Sequence, residues 1–166
     1  MDYSDTLLTL AELAVALSGF SSLVSILDRH PDPASRAEAR NHLQMMLEIG
    51  LRNAGFAVIP IPLLAGGVAG PGVWRTMSAL YLAAMLGHIV SQRKRGYLTR
   101  LSHGSELRAV LIAIPVISGM TSGVNAIGLG GRHSFSLYIA SLILGLAFAG
   151  LLFLLVARRM SVGAKT

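Results

Sequence analysis

Apolar residues form five long stretches along the chain, and short segments rich in charge, glycine or proline separate them. The stretches cover residues 7–27, 43–68, 73–90, 109–129 and 135–157. An α-helix of about 20 apolar residues is long enough to cross the roughly 30 Å hydrocarbon core of a bilayer. The pattern therefore predicts an all-α, polytopic transmembrane helix bundle with five spans, in a single transmembrane domain over residues 1–166.

Proline and glycine mark the breaks between these spans. Pro60 and Pro62 lack an amide donor, so they are predicted to kink or end the far part of the second span. The glycine-rich segment 66–72 predicts a turn before the third span. The glycine-rich segment 128–131 predicts the turn between the fourth and fifth spans. It does not fit a dinucleotide-binding loop, because no strand precedes it and its glycine spacing is wrong.

The composition agrees with residence in a membrane. Hydrophobic residues make up 53% of the chain and charged residues 13%, whereas a soluble domain is nearer a quarter charged. The chain has no cysteine, which excludes a disulfide framework and a thiolate nucleophile. No catalytic constellation stands out, and the histidines lack HxxxH or HExxH spacing. We therefore expect no enzyme, no cofactor and no metal site.

The distribution of basic residues predicts the topology. With five spans and the N-terminus outside, only Arg75 and Arg132 fall in outer segments, and most other lysines and arginines fall inside. The positive-inside rule then favours an N-out, C-in arrangement in a bacterial cytoplasmic membrane. The net charge of +6 reflects this topology, so nucleic-acid binding is not predicted. The inner residues are Arg29, Arg36, Arg40, Arg93, Lys94, Arg95, Arg100, Arg108, Arg158, Arg159 and Lys165.

Glu12 is the one charged residue in the first apolar stretch. A charge inside a membrane costs ~2.5–3.5 kcal/mol on insertion scales, and such residues are candidates for function. Thr9, Glu12, Ala16 and Gly19 share one helical face. A narrow face of small residues with one acid favours a cation path lined by copies of this helix. The alternative is a local hydrogen bond, or an ion pair with one of the two outer arginines.

Three further spans contain polar residues at membrane depth. Glu48 and Arg52 are spaced i, i+4 with the acid first, which is the favourable order for a helical ion pair. The pair is either structural or a gate that exchanges partners. His88 is expected at a similar inner depth, either as an interfacial residue or as a proton switch that joins the pair. Asn125 is unfavourable to bury alone, so it is predicted to bond to another helix.

A basic cluster follows the third span. Arg93, Lys94, Arg95 and Arg100 are expected to face anionic lipid headgroups, or a protein partner, on the inner side.

Small residues also recur at four-residue spacing within the spans. Ala14 and Ser18 do so in the first span, and Gly119 and Gly123 form a GxxxG motif in the fourth. Such stripes allow helices to approach closely. We expect most of them to serve packing within one chain.

The segment from Leu7 to Phe20 resembles the first helix of a group of small bacterial multi-spanning membrane proteins of unknown function. Pro60, Trp74 and Asn125 fit the same group. The tetrapeptide 17–20, with an aspartate at position 28, is also similar to Orai-type calcium channels, and this similarity implies a hexameric pore lined by the first helix. The chain departs from those channels because it lacks a basic stretch before the helix and is predicted N-out.

Two functional hypotheses follow from the sequence. The first is a homo-oligomeric ion or proton channel, or a transporter-like protein, in which Glu12 lines or selects and Glu48, Arg52 and His88 form an inner polar cluster. The second is a non-transporting adaptor or accessory subunit, which binds a partner or anionic lipid through its basic cytoplasmic loops.

Overall fold

The computed structural model describes residues 3–27, 33–94 and 105–163. These ranges contain no strand, so the predicted all-α class is confirmed. A single 3₁₀ turn, Gly131–His133, precedes the last helix. The helices are α1 Tyr3–Leu27, α2 Pro33–Val58, α3 Pro60–Ala65, α4 Gly70–Lys94, α5 Ser105–Ala126 and α6 Ser134–Gly163.

Five helical stretches are long and apolar enough to cross a membrane, as the hydrophobic pattern predicts. Each overlaps one predicted span: four of the five begin three or four residues before it, and four end two or three residues before it. The N-out, C-in orientation stays a prediction. The five stretches are Tyr3–Val24, Arg40–Ala65, Gly70–Lys94, Ala109–Ala126 and Gly131–Leu155.

The second span is interrupted where the prolines predict a break. The helix α2 ends at Val58, and the short helix α3 begins at Pro60. The Gly66 amide then donates to the Pro62 carbonyl at 2.9 Å. Gly67 adopts a φ of 82°, a left-handed conformation that glycine takes without steric strain, and the chain turns toward α4.

The chain divides into two compact units. The first unit comprises residues 1–58 and 145–166, and the second comprises residues 59–144. In the first unit, α1 packs on α2 through a face with helical periodicity, because buried positions recur every three or four residues. The buried side chains of α1 are Leu7, Leu10, Ala11, Ala14, Ser18 and Ser21, and those of α2 include Leu43, Met46, Ile49, Asn53 and Ala57.

Small residues determine how closely α1 and α2 approach. A Cβ atom added to Gly50 would lie 3.0 Å from the Ala14 carbonyl oxygen and closer still to the Ser18 hydroxyl. The Ser18 hydroxyl donates to the Ala14 carbonyl at 2.9 Å, so its hydrogen is used within its own helix. Ala14 and Ser18 therefore pack within the chain, against Gly50 of α2, which has no side chain.

The second unit contains α3, α4, α5 and the first part of α6. Here the GxxxG motif of α5 faces α4. A Cβ atom on Gly119 would lie 2.7 Å from the Met85 Cε atom, and one on Gly123 would lie 3.8 Å from a Leu82 methyl group. Side chains of α4 therefore pack over the two glycines, so the GxxxG motif also serves packing within the chain.

Candidate functional site: an exposed acidic face on α1

The helix α1 has a second face, turned away from α2. At 3.6 residues per turn, Asp5, Thr9, Glu12, Ala16 and Gly19 fall within an arc of about 80°. All five residues are exposed. The structure therefore places the predicted face of Thr9, Glu12, Ala16 and Gly19 together on one side of the helix, and it adds Asp5 to that face. We call these five residues the acidic face.

Glu12 lies near the middle of its span. It is about 14 Å along the helix from Tyr3 and about 18 Å from Val24, the two ends of the apolar stretch. The Glu12 side chain is exposed, and within the described residues of its own unit it makes no hydrogen bond or ion pair. The local hydrogen bond considered from the sequence is therefore not formed by these residues.

The surroundings of Glu12 on the acidic face are small. A Cβ atom on Gly19 would meet no atom within 4 Å. The Thr9 hydroxyl donates to the Asp5 carbonyl at 2.9 Å, which leaves the hydroxyl oxygen free to accept from another group. Exposed apolar side chains flank the face on both sides, namely Leu8, Leu13, Val15 and Phe20. The acidic face is therefore a narrow polar strip on the helix surface, with exposed apolar side chains on both sides.

Glu48 and Arg52 occupy α2, and both are half-buried. The Gln44 Nε2 atom donates to the Glu48 Oε1 atom at 3.0 Å, from one helical turn before it. Both Glu48 and Arg52 take part in further interactions. Whether they act as a structural pair or as a gate stays a prediction.

His88 lies on α4, one helical turn before Gln92, and their Nε2 atoms are 3.5 Å apart. His88 is half-buried, and Gln92 is buried. His88 belongs to the second unit, whereas Glu48 and Arg52 belong to the first. The inner cluster of these three residues therefore stays a prediction.

Asn125 is fully buried and connects three helices. Its Nδ2 atom lies 2.7 Å from the Ser78 hydroxyl of α4 and 2.8 Å from the Ser134 carbonyl at the start of α6. The Trp74 carbonyl of α4 is 3.4 Å away. The predicted bond to another helix is confirmed, and these contacts give Asn125 a packing role in the second unit.

A second polar cluster lies deeper in the same unit. The Ser141 carbonyl of α6 accepts from the Ser118 hydroxyl at 3.1 Å and from the Tyr81 hydroxyl at 3.3 Å. The Ser141 and Thr121 hydroxyls are 2.9 Å apart. The partners on α4 and α6 were not predictable, because isolated serines and tyrosines in apolar helices have no periodic signal.

The basic cluster after α4 is described only in part. Arg93 and Lys94 are exposed in the last turn of α4. Arg95, Arg100 and the aspartate at position 28 lie outside the described residues. Within the described part of the chain, no group of three or more histidines, aspartates and glutamates is arranged to hold a metal ion.

Comparisons with known proteins do not indicate a function for this chain. No protein-family model, curated protein or solved structure matches the chain. The fold therefore defines only a broad class, an all-α protein with five helices long and apolar enough to span a membrane.

Proposed function

We propose that this chain assembles as a homo-oligomer in the membrane and forms a pathway for cations, protons included, along the acidic face of α1. One observation carries the proposal: the Glu12 side chain is exposed near the middle of an apolar span. An ionised carboxylate facing lipid at this depth costs ~2.5–3.5 kcal/mol on insertion scales. A hydrated path between copies of α1 removes that cost.

Several copies are needed because one helix face cannot enclose a path. Cyclic assembly repeats the same face around an axis. Ala16 and Gly19 are small and exposed, so neighbouring α1 helices can approach closely beside Glu12. A ring of carboxylates in such a path attracts cations and repels anions, as acidic rings do in cation channels.

Asp5 strengthens the same electrostatic effect at one end of the path. It lies two helical turns before Glu12, about 10 Å along the axis, and on the same face. An acidic entrance raises the local concentration of cations and lowers that of anions. The Thr9 oxygen lies between the two carboxylates in sequence and offers a neutral acceptor for a cation or a water molecule.

Flux through reconstituted protein tests the proposal. The full chain in liposomes should carry potassium ions or protons faster than empty liposomes do. Glu12→Gln keeps the shape of the side chain and removes its charge, so the flux should fall at least tenfold, and Glu12→Asp should retain part of it. Met120→Gln serves as the control, because it places the same amide on an exposed position of α5.

Two results would contradict the proposed pathway. One is the absence of flux above empty liposomes at any pH, with the protein folded and inserted. The other is an unchanged flux in Glu12→Gln. The first result would favour the non-transporting adaptor, in which the basic loops hold a partner, and the second would place the cation pathway away from Glu12.

A further inference from the structure

One end of the second unit carries basic side chains and no acidic side chain. Arg75 near the start of α4, and Arg132 and His133 just before α6, are all exposed. Residues 59–144 contain one acid, Glu106, and it lies at the start of α5, the opposite end of that helix from the turn into α6. The positive charge at the turn end is therefore not compensated within this unit.

Contacts across the unit hold the basic residues at one end. The Arg75 Nη2 atom donates to the Gly128 carbonyl at 3.4 Å. A Cβ atom on Gly128, whose φ is 87°, would lie 3.1 Å from the Arg75 Cζ atom, so the guanidinium lies against the turn. Asn125 ties the carbonyls of Trp74 and Ser134 together, and these residues adjoin Arg75 and the 131–133 turn.

The same turn exposes two large apolar side chains. Ile127 is 73% exposed and Leu129 is 74% exposed, which are the highest values among the large hydrophobic side chains that the structure describes. Both flank Gly128, the residue that accepts from Arg75. Apolar side chains beside basic side chains suit the boundary between acyl chains and phosphate groups.

Aromatic rings lie directly behind the turn. The ring centroids of Trp74 and Phe135 are 4.9 Å apart, and those of Trp74 and Tyr138 are 5.7 Å apart. Trp74 and Tyr138 are buried, so they pack the turn from inside the unit. The turn itself lies between the ends of two candidate membrane spans, Ala109–Ala126 and Gly131–Leu155, which places it at the membrane–water boundary.

We propose that this turn site, formed by Arg75, Ile127, Leu129 and Arg132, binds the headgroup of an anionic phospholipid. The guanidinium groups face the phosphate, and the two apolar side chains lie among the first methylenes of the acyl chains. Arg75 uses only part of its donor set on Gly128, so other N–H groups remain for a phosphate oxygen. Each arginine near an anionic surface contributes about fivefold in affinity, the equivalent of ~1 kcal/mol.

Trp74 is the only tryptophan in the chain and adjoins Arg75, so it reports on this site. The full chain is reconstituted in bilayers with a small fraction of brominated phosphatidylglycerol or, separately, brominated phosphatidylcholine. Bromine quenches tryptophan only at short range. We expect the anionic lipid to quench Trp74 several-fold more strongly at the same mole fraction.

Variants separate this charge effect from a structural one. Arg132→Gln should lower the preference about fivefold. This variant leaves the Arg75 contact with Gly128 in place, and a further substitution, Arg75→Gln, should abolish the remaining preference. Arg93→Gln is the matched control, since it removes an exposed arginine from the other end of α4, about 27 Å away. The control should leave the quenching of Trp74 unchanged.

Three outcomes would overturn the proposal. Equal quenching by the two lipids, or an unchanged preference in Arg132→Gln and in the double variant, would exclude a headgroup site. Loss of the preference on addition of soluble glycerol phosphate at millimolar concentration would assign the site to a free phosphate compound instead. The site is independent of cation flux, so Glu12→Gln should retain the full lipid preference.

Discussion

The Asn125 amide of α5 donates to the Ser78 hydroxyl of α4 at 2.7 Å, and both side chains are fully buried. The same Nδ2 atom reaches the Ser134 carbonyl at the start of α6. One side chain therefore joins three helices at the end of the unit that carries the turn site.

Removing this junction should destabilise the second unit. In Asn125→Leu, the Ser78 hydroxyl and the Ser134 carbonyl lose their donor, and we expect the free energy of unfolding to fall by about 0.6–1.7 kcal/mol. Thermal unfolding in detergent, followed by circular dichroism, measures the change. Ser136→Ala, at an exposed position of α6, should leave the melting temperature unchanged. Equal melting of Asn125→Leu and the parent chain would show that the junction does not stabilise the unit.

Gly50 should be intolerant of any side chain. Its Cβ position is already occupied by the Ser18 hydroxyl and the Ala14 carbonyl, so Gly50→Ala forces α1 and α2 apart at a cost of about 1–3 kcal/mol. The melting temperature should therefore fall. Gly55→Ala is the matched control on the same helix, because its Cβ would meet no atom within 4 Å.

A second substitution checks the mechanism of that loss. Ser18→Ala removes the hydroxyl and should restore part of the stability lost in Gly50→Ala. If the two substitutions lower the stability additively in the double variant, the loss in Gly50→Ala does not arise from contact with the Ser18 hydroxyl.

Gly128 should be needed for its backbone conformation as well as for space. A φ of 87° lies in the left-handed region, and a non-glycine residue held there costs about 1–3 kcal/mol. Gly128→Ala also pushes against the Arg75 guanidinium. We expect a lower melting temperature. We also expect a smaller difference between the quenching of Trp74 by brominated phosphatidylglycerol and its quenching by brominated phosphatidylcholine. Gly87→Ala, with open space around its Cβ, should not lower the melting temperature and should leave the lipid preference unchanged.

Contact between copies along the acidic face can be tested by cross-linking, because the chain has no cysteine of its own. Gly19→Cys in the membrane should form a disulfide-linked dimer on mild oxidation. Gly87→Cys, an open position on α4, serves as the control and should stay monomeric. Equal yields of dimer from the two variants would indicate random collision and would contradict an α1 interface.

The predicted spans agree with the helices because a single physical quantity, the length of an apolar run, determines both. The third predicted span, residues 73–90, lies within Gly70–Lys94, and the difference is in the polar ends. Hydropathy marks the part of a helix that crosses the bilayer, whereas backbone hydrogen bonds continue into the polar flanks. The break at Pro60 was also predictable, since the missing amide donor acts locally.

The candidate site was predictable only where the helical period determines it. The spacing of Thr9, Glu12, Ala16 and Gly19 places them on one face of any helix, and no knowledge of the fold is needed. The contact of Gly50 with Ser18 depends on how α1 and α2 pack, and no local pattern encodes that register. The same holds for Arg75 and Gly128, which are distant in sequence and meet only in the folded unit.

The glycines between α5 and α6 have a practical consequence for mapping the topology of this protein. The composition of this segment is typical of a flexible linker. However, a Cβ atom on the buried Gly130 would lie 2.6 Å from the Asn125 Oδ1 atom and 2.9 Å from a Leu137 methyl group. An epitope tag or reporter inserted at this position would separate groups that are in contact. Such a tag would report on a rearranged protein, so the sidedness of the chain is better measured by a label ahead of the exposed Tyr3.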